Sequence, residues 1–233
     1  MQAISISALA LLIAGHSYAA RAGAPIAQCP PAHARVLRSD RQAVVYKIRE
    51  SGIETLESEH YRVYFPGIRG CVRGHTRSYK LGEPFAFNGS SQGGSGHGIG
   101  NIALGGAMVA FEESLRNVSG DGERESVGNN EWRVVVRDLR TGKVVHRVPT
   151  GTYSPPSAKI IGVGPTTAVV VKSDGAVAWI AENGVGNYEV HALDKTGSRL
   201  LASGENIKPY VLGLKGSTLY WEQEGKRHSA VLD

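Results

Sequence analysis

Four times along the chain a short apolar run is followed by a glycine or polar turn and a second apolar run that ends on an aromatic ring. The pairs are Val36-Leu37 with Val44-Val45-Tyr46, Ile102 to Leu104 with Val109-Ala110-Phe111, Val169 to Val171 with Val177-Ala178-Trp179, and Val211 to Leu214 with Leu219-Tyr220-Trp221. Self-similarity of this kind marks a repeat architecture. A third segment follows each ring and alternates apolar with polar positions, the period of a strand buried on one face. It carries Tyr61, Val63 and Phe65 in the first unit, Trp132, Val134 and Val136 in the second, and Tyr188, Val190 and Ala192 in the third; Arg227 to Leu232 takes this place in the fourth. In the second and third units Thr141-Gly142 and Thr196-Gly197 lead into a fourth stretch, Val144 to Val148 and Arg199 to Ala202. Glycine at such turns favours tight antiparallel hairpins.

The pattern predicts an all-β chain. It is expected to form a single domain over 25–233, β-propeller-like, with about four repeats of a four-stranded antiparallel meander. The alternative is a β-sandwich or barrel, in which similar hairpins recur because antiparallel strands look alike. Tyr46, Phe111, Trp179 and Trp221 stand at the same point of each unit, which assigns them to core packing. Three longer connections, Glu83 to Gly100, Arg116 to Asn130 and Pro149 to Pro165, read as surface loops, the first of them the glycine-rich Asn88 to Gly98.

Arg35-Val36-Leu37-Arg38-Ser39-Asp40, Gly175-Ala176-Val177-Ala178-Trp179-Ile180, Tyr188-Glu189-Val190-His191-Ala192-Leu193-Asp194 and Gly216-Ser217-Thr218-Leu219-Tyr220-Trp221 resemble segments of uncharacterised secreted bacterial proteins with TolB-like or WD40-like β-propeller repeats. The resemblance covers most of the chain beyond residue 24. It implies a fold and an export route, and no activity.

Composition adds a compartment. Residues 1–24 carry no acidic side chain, an apolar stretch from Ala3 to Ala14, and the small-residue pattern Ser17-Tyr18-Ala19, as a secretory signal peptide does. The apolar stretch is shorter than the roughly 20 residues that span a bilayer, so no membrane span is expected. Cys29 and Cys71 are the two cysteines of the chain, and an even count in an exported protein reads as a disulfide. The expected location is secreted or extracytoplasmic. The formal charge is +5, or +4 without Arg21, and its basic residues are scattered; a nucleic-acid partner would call for a focused basic patch with stacking aromatics.

No motif assigns chemistry. Gly94, Gly96, Gly98 and Gly100 lead into a strand, whereas a phosphate loop opens a helix. His60, His75, His97, His146 and His191 stand singly without metal-ligand spacing, and His191 is expected at the surface. The sharpest catalytic arrangement pairs carboxylates across a cleft, as glycosidases do. Its candidates are Glu112, Glu113, Glu182 and Glu222, each beside a core ring. Such residues are also the ordinary way a strand leaves the core. The expectation is therefore no catalytic, cofactor or metal residue, and a monomeric binding or interaction module for an unknown protein or glycan at the cell exterior. A glycan-active hydrolase using Glu112, Glu182 and Glu222 and a structural envelope protein are the alternatives.

Overall fold

A computed structural model describes residues 28–56, 59–83, 86–90, 93–120, 125–127, 131–151, 165–184 and 186–233. The expected signal segment, 1–24, lies outside them. Among the described residues every regular element is a β-strand, and all pairings are antiparallel.

The strands form four sheets in chain order. The first is β1 (Arg35–Ser39), β2 (Ala43–Leu56), β3 (Glu59–Val72) and β4 (Ser78–Gly82). The second is built on β5 (Ala86–Ser90), β6 (Gly93–Gly105), β7 (Met108–Gly120), β9 (Glu131–Asp138) and β10 (Val144–Pro149), with β8 (Glu125–Val127) paired to β7. The third is β11 (Thr166–Val171), β12 (Val177–Glu182), β13 (Tyr188–Asp194) and β14 (Gly197–Gly204). The fourth has three strands, β15 (Ile207–Lys215), β16 (Thr218–Gln223) and β17 (Lys226–Val231). The four-strand expectation thus holds for the first and third sheets, the second being larger and the fourth smaller.

The sheets stack in series, and one apolar layer fills each junction. Between the first and second lie Ala43, Val45, Ile68, Val109, Phe111 and Leu139. Between the second and third lie Met108, Ala110, Val134, Val136, Val177 and Trp179. Between the third and fourth lie Ala178, Ile180, Val190, Leu219 and Trp221. The sense is constant: Phe111, Trp179 and Trp221 each point back at the preceding sheet, while small aliphatic residues of that sheet face forward to meet them. Tyr46 points back as well, into a cluster with Val44 and Cys71 under Cys29 and Ala34. All four rings are buried. Three successive interfaces among four sheets are not the two-layer arrangement of a sandwich.

The strands β1, β6, β11 and β15 of successive sheets are also neighbours. Arg38 on β1 donates to the Ile102 carbonyl on β6 at 3.1 Å, Asn101 on β6 to the Thr166 carbonyl on β11, and the Thr167 hydroxyl on β11 to the Pro209 carbonyl on β15. Their turns interlock in the same way. The Asp40 carboxylate accepts from the N–H of Gly106 at 2.9 Å, and Lys172 donates to the Leu232 carbonyl at 2.9 Å. At Gly105 backbone meets backbone: a Cβ there would stand 2.3 Å from the Val171 carbonyl oxygen, so only glycine fits.

Two expectations are corrected. The glycine-rich stretch from Asn88 to Gly98 is not a loop: β5 and β6 pair through it, and β6 continues in register against β7. Backbone ladders need no side-chain alternation, so this hairpin carries no apolar signature. The connection Arg116 to Asn130 likewise contains the end of β7 and β8; Pro149 to Pro165 falls mostly outside the described residues. In the first sheet, Tyr61 to Phe65 lies on the third strand, β3, where it pairs with Glu50 to Glu54. The side chains of Tyr61 and Val63 lie outside the described residues. Ile68 fills the layer, beside Gly70, whose missing side chain leaves room for Leu139 of the second sheet. That glycine conceals the strand's alternation.

Replacing Trp179 by Ala is expected to lower unfolding free energy by about 3 to 5 kcal/mol, the range for a buried large ring, as measured by urea denaturation. Gly105→Ala should also destabilise, because backbone must shift at a junction of two sheets; an unchanged midpoint would contradict the close approach described above.

Candidate functional site

The sequence-derived carboxylates are occupied in different ways. Glu112 on β7 is buried at the second junction, where it accepts from both the backbone N–H and, at 2.7 Å, the hydroxyl of Thr166. Asn101 closes the clasp by donating to the Thr166 carbonyl. Asn101 sits at a bulge with positive φ, 26°, which turns its amide toward β11. Burial pushes the Glu112 carboxyl up from its ordinary range, and the two Thr166 donors oppose that rise only in part. Glu113 meets Arg147 at 3.3 Å. Glu182 lies at the end of β12, its N–H bonded to the Pro165 carbonyl. Glu222 on β16 is ion-paired with Lys208. Glu112 is thus a fastening between sheets, and Glu222 is a surface ion pair.

His191, expected at the surface, is 4% exposed. Its Nε2 lies 2.8 Å from Glu189, and its ring stacks on Trp179 with centroids 5.2 Å apart. Asn183 donates to the other oxygen of Glu189 at 2.6 Å. Burial pushes the His191 pKa down, against the opposing pull of Glu189. The correction has a simple cause: β13 is covered on both faces, so its polar positions go inside along with its apolar ones. The signal in the sequence was the Glu-x-His spacing, which puts both side chains on one face of a strand. Cys29 and Cys71 are bonded, with Cα atoms 6.1 Å apart.

Two concavities formed by described residues border these sheets. One, of about 440 Å³, lies where turns of the third and fourth sheets meet β10, among His146, Lys172, Asp174, Asp194, Lys195 and Ser217. Its polar groups are largely engaged. Burial would raise the Asp194 carboxyl, yet Thr196, the Asp233 N–H and Arg199 hold it below its usual range; Lys172 serves Asp174, Ser217 and the Leu232 carbonyl. The cavity is a joint between sheets.

The second, of about 490 Å³, runs over the fourth sheet, bordered by Tyr210, Val211, Lys215, Tyr220, Glu222 and Arg227. Here the forward face has no further sheet against it among the described residues. Tyr220 replaces the small aliphatic residues that face forward elsewhere, with the Arg227 guanidinium 5.5 Å over its ring. Tyr210 is 78% exposed. An aromatic surface edged with paired charges can hold a ligand through ring faces and hydrogen bonds.

No family model matches the chain, and no curated protein does. Among solved structures it is similar to the full extracellular region of plexin A4, in forms covering domains 1 to 10 and 1 to 8, each at 8% identity, TM-score 0.36 and 84% of this chain. The chain spans 22% and 26% of those two structures' length. Among the described residues no helix is long and apolar enough to cross a membrane, and no group of three His, Cys, Asp or Glu side chains is placed to hold a metal ion.

The two buried titrating groups give opposite pH signatures. Above about pH 4.5 the folded chain holds a proton on Glu112 that the unfolded chain has lost, so stability from this site falls as pH rises through that window. Below about pH 6.5 the unfolded chain protonates His191 first, so stability falls as pH drops. Urea titrations between these limits should show wild type losing ground to Glu112→Gln, and gaining on His191→Gln, as pH rises. Parallel curves would contradict both assignments.

Proposed function

We propose that this chain is an exported, propeller-like binding module that engages its ligand through the forward face of its fourth sheet. One observation carries the reading: the two ends of the stack differ. The first sheet's outer face is closed by the segment that Cys29 ties to Cys71, burying Tyr46 and Val44. The last sheet's outer face instead presents an aromatic groove edged by Tyr210, Tyr220 and Arg227. A terminal repeat needs a polar outer face for solubility; exposed tyrosine set beside Val211 goes beyond that need and suits a contact surface.

The propeller-like reading is supported by the serial stack and by β1, β6, β11 and β15 lying side by side, as the inner strands of radially arranged sheets do. The disulfide and the N-terminal signal pattern support export, where such bridges persist. Ligand classes consistent with the groove are a glycan stacked on the tyrosines or an exposed segment of an envelope protein. The clasp on Glu112 and the ion pair on Glu222 favour binding over glycan hydrolysis, since neither carboxylate is free to attack or to transfer a proton.

The test is titration of the purified protein against envelope polysaccharides and a glycan array, with Tyr210→Ala and Tyr220→Ala in parallel. Both variants should fold like wild type, and each should weaken binding by about tenfold, the scale of one lost aromatic contact. Unaltered binding in both would overturn the assignment of the groove.

A further inference from the structure

The strand register orders the groove on the fourth sheet into rows. Gly213, Tyr220 and Ser229 lie side by side across β15, β16 and β17; Lys215, Thr218 and Val231 form the row on one side of them, and Glu222 and Arg227 belong to the row on the other. Partners in register share a face, so these side chains project from the same surface. Two features of the middle and flanking rows stand out. The first is a notch: a Cβ at Gly213 would meet no atom within 4 Å, those of Tyr220 included, so the space beside the ring is open. The second is charge. Glu222 is the one carboxylate lining the groove, and it is paired with Lys208. Arg227 stands opposite Glu222 yet makes no ion pair with it, and lies over Tyr220 instead. Lys215 has no carboxylate partner among the described residues either. An aromatic seat is thus flanked, one row to each side, by a cation without a counter-charge.

We propose that the groove takes an acidic saccharide, a chain of uronic acids, with one sugar ring seated in the Gly213 notch beside Tyr220 and carboxylates met by Lys215 and Arg227. The inference rests on the groove being the contact surface and adds the class of its ligand. A sugar ring offers an apolar C–H face to an aromatic side chain, and the open space at Gly213 lets it approach the sheet. Carboxylates on the ring or its neighbours then gain charge-assisted hydrogen bonds from the two flanking cations. A neutral saccharide would use the seat and leave both cations idle. An acidic peptide would use the cations and leave the seat idle, since an extended peptide is held by main-chain bonds at a sheet edge, whereas this surface is a sheet face.

The probe is tetragalacturonate, titrated calorimetrically into the purified protein. Two companions separate its features: the fully methyl-esterified tetrasaccharide keeps the rings and loses the charge, and tetra-aspartate keeps the charge and loses the rings. Tetragalacturonate should bind about tenfold or more tightly than either, and high salt should erase most of its margin over the ester. Lys215→Gln should weaken the acid by about tenfold and leave the ester unchanged. Arg227→Gln should weaken the acid by a similar factor. Gly213→Val fills the notch at a position where a side chain meets nothing, so it should fold with an unchanged unfolding midpoint and lose both saccharides. Equal binding of acid and ester, still weakened by Tyr220→Ala, would overturn the acidic class while leaving the groove as the contact surface. Acid-selective binding that survives both Tyr220→Ala and Gly213→Val would overturn the groove reading itself. Tetra-aspartate binding as tightly as tetragalacturonate would assign the cations to a peptide, and no binding of tetragalacturonate at millimolar concentration would likewise overturn the proposal.

Discussion

A small sheet cannot keep two apolar faces in water, and the rings on β2, β7, β12 and β16 answer that constraint. Phe111, Trp179 and Trp221 enter the layer against the forward face of the sheet before them, whose side chains there are smaller than the ring: Ala43 and Val45, then Met108 and Ala110, then Ala178 and Ile180. Large into small is how packed layers reach interior density without strain. The polar fastenings follow from it. Only when the layers are this close can Asp40 reach Gly106, Glu112 reach Thr166, and Lys172 reach Leu232. Each of these bonds satisfies a backbone group that the junction would otherwise desolvate.

The two ends of the stack meet the same constraint differently. Tyr46 has no preceding sheet and is covered by a short segment fixed through Cys29. A covalent tie suits that position, since a stretch with few strand contacts has little else to hold it. At the other end no ring from a further sheet arrives among the described residues, and the forward face differs in composition, with Tyr220, Glu222 and Thr218 on β16. The resulting surface supports the functional reading.

Much of this architecture was legible in the residues. The spacing of the four rings placed β2, β7, β12 and β16, and the Thr-Gly pairs at Gly142 and Gly197 marked turns in which both glycines take positive φ, 77° and 105°. What escaped had physical causes. Glycine hid the first part of β6 and the inner part of β3, because a residue without a side chain shows no period. His191 was misplaced because a strand covered on both faces has no solvent side to which alternation can point. The clasp of Glu112 on Thr166 joins residues 54 positions apart, a distance at which local pattern is silent. The groove on the fourth sheet could not be foreseen either, since Tyr210 and Tyr220 match the core aromatics in type and differ only in having nothing stacked on them.

The constant backward sense of the rings gives the molecule a direction. Stripping sheets from the C-terminal side would expose forward faces made of small aliphatic side chains, a modest area on each remaining end. Stripping them from the N-terminal side would leave Phe111, Trp179 or Trp221 without a seat, and a naked ring is a far greater burden in water. Assembly that begins with the first sheet never presents such a ring, because each new one meets a surface already in place. A chain emerging from its N-terminus can therefore build this stack in the order in which it appears.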